Sequence, residues 1–377
     1  MIPLSVPNLQ GNEWNYIKDC LDTNWVSSVG SYVDRFEASM AAFTGSAFAI
    51  STVNGTAALH ISLVLSGVKQ GDLVIVPNIT FIASVNSIKY AGAEPILMDV
   101  EEGNWQMDLT LLEMFLNTET KQQAGLCIHT KTGKIVRAVM PVHVLGNMCD
   151  MHRLMKLADM HGLVVVEDAT EALGSTFSGK HAGTFGRFGC FSYNGNKIIT
   201  TGGGGMIVTN DPGLAKRAKH ITTQAKSDPF EYLHDEVGYN YRLVNILAAM
   251  GLAQMELLPG FLERKKEIAR MYHENLASLP GFQFNTVEKN VKPNLWLYTV
   301  RCTKQKELIP HLLKNNIQVR PFWVPMNQLI MFKDSIYFNR KNISGAVYAN
   351  SLSLPCSTGI KNEEIWTVIE KIREICS

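Results

Sequence analysis

The 377-residue chain has no run of 18 apolar residues that could span a bilayer. It has no Lys/Arg block, no Pro/Ser-rich tether and no internal repeat, so neither a charged tail nor a solenoid is expected. The net charge of +1 gives no electrostatic reason to bind nucleic acid or an acidic membrane. No Cys-x-x-Cys occurs, and the seven cysteines (20, 127, 149, 190, 302, 356 and 376) are odd in number and scattered. Zinc ribbons and disulfide scaffolds are thereby disfavoured, no metal site is expected, and reduced thiols suit a cytoplasmic setting. The opening Met1-Ile2-Pro3-Leu4-Ser5 lacks the basic and apolar regions of a signal peptide, which supports the same expectation. No Gly-x-Gly-x-x-Gly opens a helix after the first strand-like run. The four glycines 202–205 lack the Lys-Ser/Thr of a phosphate loop, so dinucleotide and P-loop folds are set aside.

What is present is alternation. Short apolar runs at 47–51, 73–77, 95–100, 138–142 and 163–167 are separated by helical patterns, including 57–65 and 80–91. Near-continuous apolar strands with helices between them predict a mainly parallel α/β sheet covered on both faces, with ligands beyond the strand carboxyl ends. Residues 243–258 read as an apolar helix broken at Pro259-Gly260, followed by a charged amphipathic helix at 263–279. Further on come a strand at 296–300, a helix at 305–314, a strand at 317–320 and a last helix at 363–375. The expectation is a large domain over 1–255 and a smaller C-terminal α+β domain over 256–377.

Residues 164–210 carry the chemistry. The run Val164-Val165-Val166-Glu167 ends in Asp168, and Lys197 lies 29 positions on (168 to 197), in the turn Ser192-Tyr193-Asn194-Gly195-Asn196-Lys197, just before the glycines. A lysine in a turn and an acid at a strand end are what a pyridoxal phosphate enzyme requires. The amine forms the Schiff base and a carboxylate faces the pyridine nitrogen. Alternation along the strand sends Glu167 and Asp168 to opposite sides, leaving Glu167 as the rival acid. Asn54-Gly55-Thr56-Ala57, between a strand and a helix, offers backbone amides and a hydroxyl to a phosphate. A plain helix cap is the alternative.

The pieces Glu167-Asp168-Ala169-Thr170-Glu171, Gly179 to Gly186 and Phe191 to Lys197 resemble the DegT/DnrJ/EryC1/StrS sugar aminotransferases, and the resemblance runs from about Ile2 to the C-terminus. It implies the aspartate aminotransferase (type I) fold, pyridoxal 5′-phosphate as cofactor with its pyridoxamine form as intermediate, and L-glutamate as donor. It assigns Lys197 and Asp168 as catalytic residues. It also assigns Gly55, Thr56, Ala57 and Ser192 to the phosphate, Phe81 to the ring face, and Glu171 to the ring oxygen, where the family often has Gln or His. The stretch Gly238-Tyr239-Asn240-Tyr241-Arg242-Leu243 matches one that reaches a neighbouring subunit's site. The resemblance thus implies a homodimer with shared sites, with Asn240 preferred over Arg242 as the phosphate ligand. His143 is assigned to the pocket wall or the framework. A sugar 3-dehydratase of the same fold carries histidine in place of the lysine, and retention of the whole residue set disfavours a non-catalytic cofactor-binding protein.

The openings Ile2 to Pro7 and Asn24 to Gly30 resemble the branch that aminates C4 of a UDP-linked 4-keto-6-deoxy-N-acetylglucosamine, for legionaminic acid and bacillosamine. A UDP-keto-sugar acceptor follows as an expectation. Trp25, Ser27, Ser28, His181, Arg320 and Trp323 are candidate sugar contacts, and structural roles are equally open to each.

Overall fold

A computed structural model of the chain describes residues 1–228 and 230–376. The apolar runs form one eight-stranded sheet. In chain order its strands are β1 (Phe48–Thr52), β2 (Leu73–Pro77), β3 (Glu94–Met98), β4 (Val136–Val139), β5 (Val164–Asp168), β6 (Phe188–Ser192), β7 (Gly205–Thr209) and β8 (Ile336–Phe338). Their spatial order is β1-β7-β6-β5-β4-β2-β3-β8. Only β7 runs antiparallel, to β1 and β6, and the remaining pairings are parallel. The apolar runs are continuous because both faces are covered. Leu73 and Ile75 enter one core, and Val74 and Val76 the other. Met206 and Val208 likewise part from Ile207, as the two-residue period of a strand requires.

Helix α1 (Gly55–Leu65) follows β1, and α2 (Ala83–Tyr90) follows β2. Helix α3 (Asn245–Leu276) is the main departure from expectation, because Pro259 lies inside it and does not end it. An interior proline forfeits one backbone bond and crowds the preceding turn, at a cost of about 3 kcal/mol. Burial on both sides of the proline offsets this. Leu252, Met255, Leu258 and Phe261 pack into the large-sheet core, and Ile268, Tyr272 and Leu276 into a separate C-terminal core. Among the described residues α3 is the one helix long and apolar enough to cross a bilayer, and 56% of its apolar stretch is buried in the fold.

The C-terminal core lies around an antiparallel sheet whose strands, in order, are Phe282–Phe284, Tyr298–Cys302, Ser351–Leu354 and Arg320–Pro321. Helices Gln305–Lys314 and Asn362–Cys376 supply much of the rest of that core. Strand β8 leaves this region and pairs with β3 at the edge of the large sheet, so the chain beyond residue 256 contributes to both sheets. All seven cysteines are free and buried.

Candidate active site

The carboxyl ends of β2, β5 and β6 and the amino end of α1 meet at a cavity of about 290 Å³. Leu4 from the N-terminal segment, Trp296, Leu297 and the 320–323 segment close its far side.

Asp168 ends β5 and is 2% exposed. Its Oδ2 accepts from Ser84 Oγ of α2 at 2.6 Å, and its Oδ1 from the Thr170 amide at 3.1 Å. Thr170 itself lines the cavity. Glu167 is turned elsewhere. Its two oxygens accept from the amides of Gly183, Phe185 and Gly186 at 2.6–2.8 Å, and Oε2 lies 2.9 Å from His143 Nε2. That carboxylate holds the 183–186 loop against the sheet. His143, fully buried beside it, belongs to the framework and does not line the cavity.

Lys197 projects into the cavity from the turn after β6. Its Nζ is 3.9 Å from Glu171 Oε1 and 3.9 Å from the centre of the Trp296 ring. Burial lowers the basicity of the amine, and the carboxylates of Glu171 and Asp168 pull it back up. Glu171 Oε2 accepts from the Leu145 amide at 2.8 Å. Burial pushes its carboxyl up to about 7 against the opposing pull of Lys197. A carboxyl whose folded value lies above its ordinary 4.5 stabilises the fold below pH 4.5, and that contribution is lost as pH rises through about 7. The thermal midpoint of the cofactor-free protein is therefore expected to fall more between about pH 5 and about pH 8 in wild type than in Glu171→Gln. Parallel midpoint curves would remove Glu171 as the titrating group.

Opposite Lys197 lies the start of α1. Asn54 caps it, its side chain accepting from the Ala57 amide at 2.8 Å. The Ala57 amide is thus already used, a correction to its expected place among free phosphate donors. Gly55 and Thr56 line the cavity with Ser192. A Cβ on Gly55 would sit 2.8 Å from Ser192 Cβ, and one on Gly205 2.5 Å from the Asn54 backbone, so both positions require glycine for close approach. Phe81, 55% exposed, stands on the cavity wall.

The structure therefore brings Gly55, Thr56, Phe81, Ser192, Lys197, Arg320 and Trp323 to one cavity, with Asp168 and Glu171 buried beside it. It does not bring Trp25, Ser27, Ser28 or His181 there. The Trp25 and Ser27 carbonyls accept from the Asn245 side chain and amide at 2.7 and 2.6 Å, while their side chains remain at the surface, with Ser28 half-buried beside them. His181 is buried, with Nε2 accepting from the Gly174 amide at 2.8 Å and Nδ1 donating to the Ala182 carbonyl at 2.6 Å. Burial lowers it to about 4, so it ties backbone together and has no nitrogen left for a sugar. Arg242 is committed within its own chain, to Glu37 Oε1 at 3.0 Å and the Ser51 carbonyl at 3.2 Å. Asn240 is exposed and does not line this cavity. Ser84 and Trp296 are site residues that inspection of the sequence missed. Ser84 carries a faint signal, one helical turn beyond Phe81, whereas nothing local ties Trp296 to Lys197.

A model of the DegT/DnrJ/EryC1/StrS aminotransferase family matches residues 7–373. The chain belongs to that family. A GDP-perosamine synthase of Escherichia coli O157:H7 is 38% identical to it over 379 residues, covering 100% of this chain and 99% of the relative. A GDP-perosamine synthase of Caulobacter vibrioides is 37% identical, covering 99% and 98%. A putative sugar aminotransferase of Streptococcus pneumoniae, solved in a PMP-form, superposes with a TM-score of 0.89 at 25% identity, over 99% of this chain and 98% of that one. This DegT-family chain accordingly has the type I pyridoxal phosphate fold and is a pyridoxal phosphate-dependent sugar aminotransferase. The residues present suit that cofactor. A buried acid on which two donors fall among the described residues, an amine facing the cavity, and a glycine-lined helix start beside two hydroxyls form a matching donor and acceptor set.

Proposed function

We propose that this DegT-family chain moves the amino group of L-glutamate to the C4 ketone of a GDP-linked 4-keto-6-deoxyhexose. The observation that carries the transamination reading is the largely enclosed Lys197 amine, which faces the cavity that Thr56 and Ser192 line and Asp168 adjoins. The nucleotide follows from the relatives named GDP-perosamine synthase, similar over essentially their whole lengths. It replaces the UDP-linked N-acetyl sugar expected from the opening segments. Of the opening segments Ile2 to Pro7 and Asn24 to Gly30, Leu4 alone lines the cavity of this chain.

Pyridoxal 5′-phosphate, when bound, supplies the electron sink and carries the amino group from donor to acceptor. Asp168, fixed by Ser84 and the Thr170 amide, would keep a proton on the ring nitrogen. Lys197 would take a proton from the donor carbon and deliver one to the acceptor C4. Its lowered basicity suits this work near neutral pH. Gly55, Thr56 and Ser192 would hold the phosphate at the start of α1, where the helix dipole favours an anion. Phe81 would cover one face of the ring. Arg320 and Trp323 would meet the nucleotide sugar from the C-terminal side.

Mass spectrometry of products from a panel of GDP- and UDP-linked keto-sugars with glutamate tests this directly. The expected result is amination of the GDP-linked 4-keto-6-deoxyhexose, and nuclear magnetic resonance of the purified product is expected to show large H3–H4 and H4–H5 couplings, which mark an equatorial amine at C4. Amination of the UDP-linked N-acetyl sugar alone would move the nucleotide assignment, and amination at C3 would sink the acceptor.

We further propose a homodimer in which Asn240 serves the partner's phosphate site. Support comes from the exposed apolar side chains Phe230, Tyr232 and Val237 on the segment leading to Asn240, and from the commitment of Arg242 to Glu37. Mixing Lys197→Ala with Asn240→Ala protein, each inactive alone and shown to exchange subunits, is expected to restore activity to about a quarter of the wild-type level. That figure assumes random pairing, in which half the dimers are mixed and each mixed dimer holds one intact composite site. No recovery would count against shared sites.

A further inference from the structure

Lys197 is nearly enclosed, its side chain 11% exposed, yet the nearest carboxylate oxygen is 3.9 Å from Nζ, too far for a hydrogen bond. At the same distance its charge meets a ring face, the Trp296 indole centred 3.9 Å away. That indole is 4% exposed and held from several directions. Its amide donates to Asn294 Oδ1 at 3.0 Å, and Asn294 in turn donates to the carbonyls of Glu171 and Leu173 at 2.8 and 2.9 Å. Its carbonyl accepts from the buried Lys265 of α3 at 2.7 Å. Its Nε1 donates at 2.7 Å to the carbonyl of Asn196, the residue before Lys197, which also accepts from Ser5 Oγ at 3.2 Å. Trp323 stacks on the same indole at 6.4 Å and 24°. A residue from the C-terminal part of the chain thus grips the lysine turn twice, on the backbone and on the side chain.

We propose that Trp296 is a positioning residue for Lys197: its ring seats the lysine's free ammonium whenever the amine is not bonded to the cofactor, and its N–H pins the Asn196 carbonyl. The seat answers a need of the chemistry, since an amine that leaves the cofactor and returns must wait within reach and in one place. A desolvated cation over an indole face is held more strongly than one in water, so burial strengthens the contact. Glu171 and Asp168 are the other charged groups that act on Lys197, and both favour the same protonated form.

The inference rests on Lys197 being the cofactor-bonding lysine. Borohydride reduction of the holoenzyme and peptide mapping test that separately, because a cofactor adduct on any other residue overturns the lysine assignment whatever Trp296 does. The seat is tested on holoenzyme loaded with pyridoxamine 5′-phosphate, in which Lys197 is free. The pH dependence of its acetylation by acetic anhydride is read by mass spectrometry of the Lys197 peptide. Trp296→Leu is expected to lower the midpoint by about one pH unit, roughly a tenfold faster acetylation below it, and Trp296→Phe by less. A merely structural tryptophan would lower the melting temperature and leave that midpoint in place. Should Trp296→Leu fail to fold, mono-, di- and trifluorotryptophan incorporated throughout the chain keep the shape and the N–H while draining the ring face of charge. The midpoint is then expected to fall stepwise with fluorine number. A midpoint that ignores both Trp296→Leu and fluorination overturns the proposal.

Discussion

Lys197→Ala protein is expected to bind pyridoxal 5′-phosphate, keep its fold and lose turnover by about 10⁴-fold or more. General acid–base work by a positioned side chain contributes about 10²–10⁴-fold, and the covalent link to the cofactor proposed for this residue would be lost as well. The fold should survive, because the side chain lies in a turn and lines a cavity that is already open beside it. Thr56, Ser192 and Asp168 remain to retain the cofactor without a bond. The check is a single-turnover assay of amine transfer beside a thermal melt and a cofactor titration. Near wild-type transfer by the variant would end the assignment of Lys197.

Asp168→Asn is expected to cost about a thousandfold in rate, or roughly 4 kcal/mol of transition-state stabilisation, with little loss of stability. The amide is nearly isosteric, and its oxygen can still accept from Ser84 Oγ or from the Thr170 amide. What it lacks is the charge that keeps a proton on a ring nitrogen. Glu167→Gln is the informative contrast. The Glu167 carboxylate accepts from three backbone amides, so an NH₂ in place of one oxygen faces donors. An unsatisfied buried group costs about 1–3 kcal/mol. The expected outcome is a lower melting temperature with a milder rate effect. A larger rate loss in Glu167→Gln than in Asp168→Asn, with both proteins folded, would exchange the two roles.

Some of this was open to inspection of the sequence. The parallel strands announce themselves as apolar runs because each is buried on both faces, a property of the segment itself. Asp168 at a strand end, Lys197 in its turn and Gly55-Thr56 at a helix start are likewise local features. In the structure they converge on one cavity because strand ends and helix starts in an α/β sheet open on the same side. Opposite sides for Glu167 and Asp168 follow from strand alternation, and their hydrogen-bond partners agree. Specificity was less legible, since the opening segments that suggested a UDP-sugar lie mostly outside the cavity while the relatives are named for a GDP-sugar.

The layered α/β architecture and the chemical kit are written in the residue order alone, because strand burial, turn geometry and capping depend on residues close together in the chain. Long-range packing sets the rest: Pro259 is carried inside α3, β8 closes the edge of the large sheet, Arg242 is bound to Glu37 and His181 to backbone, and Trp296 lies against Lys197. Each of these outcomes turns on partners brought together from distant parts of the chain. Packing energy summed over such contacts overrides the preference of a proline for a helix end, and it selects which of several polar residues is consumed by the framework and which is left facing the cavity.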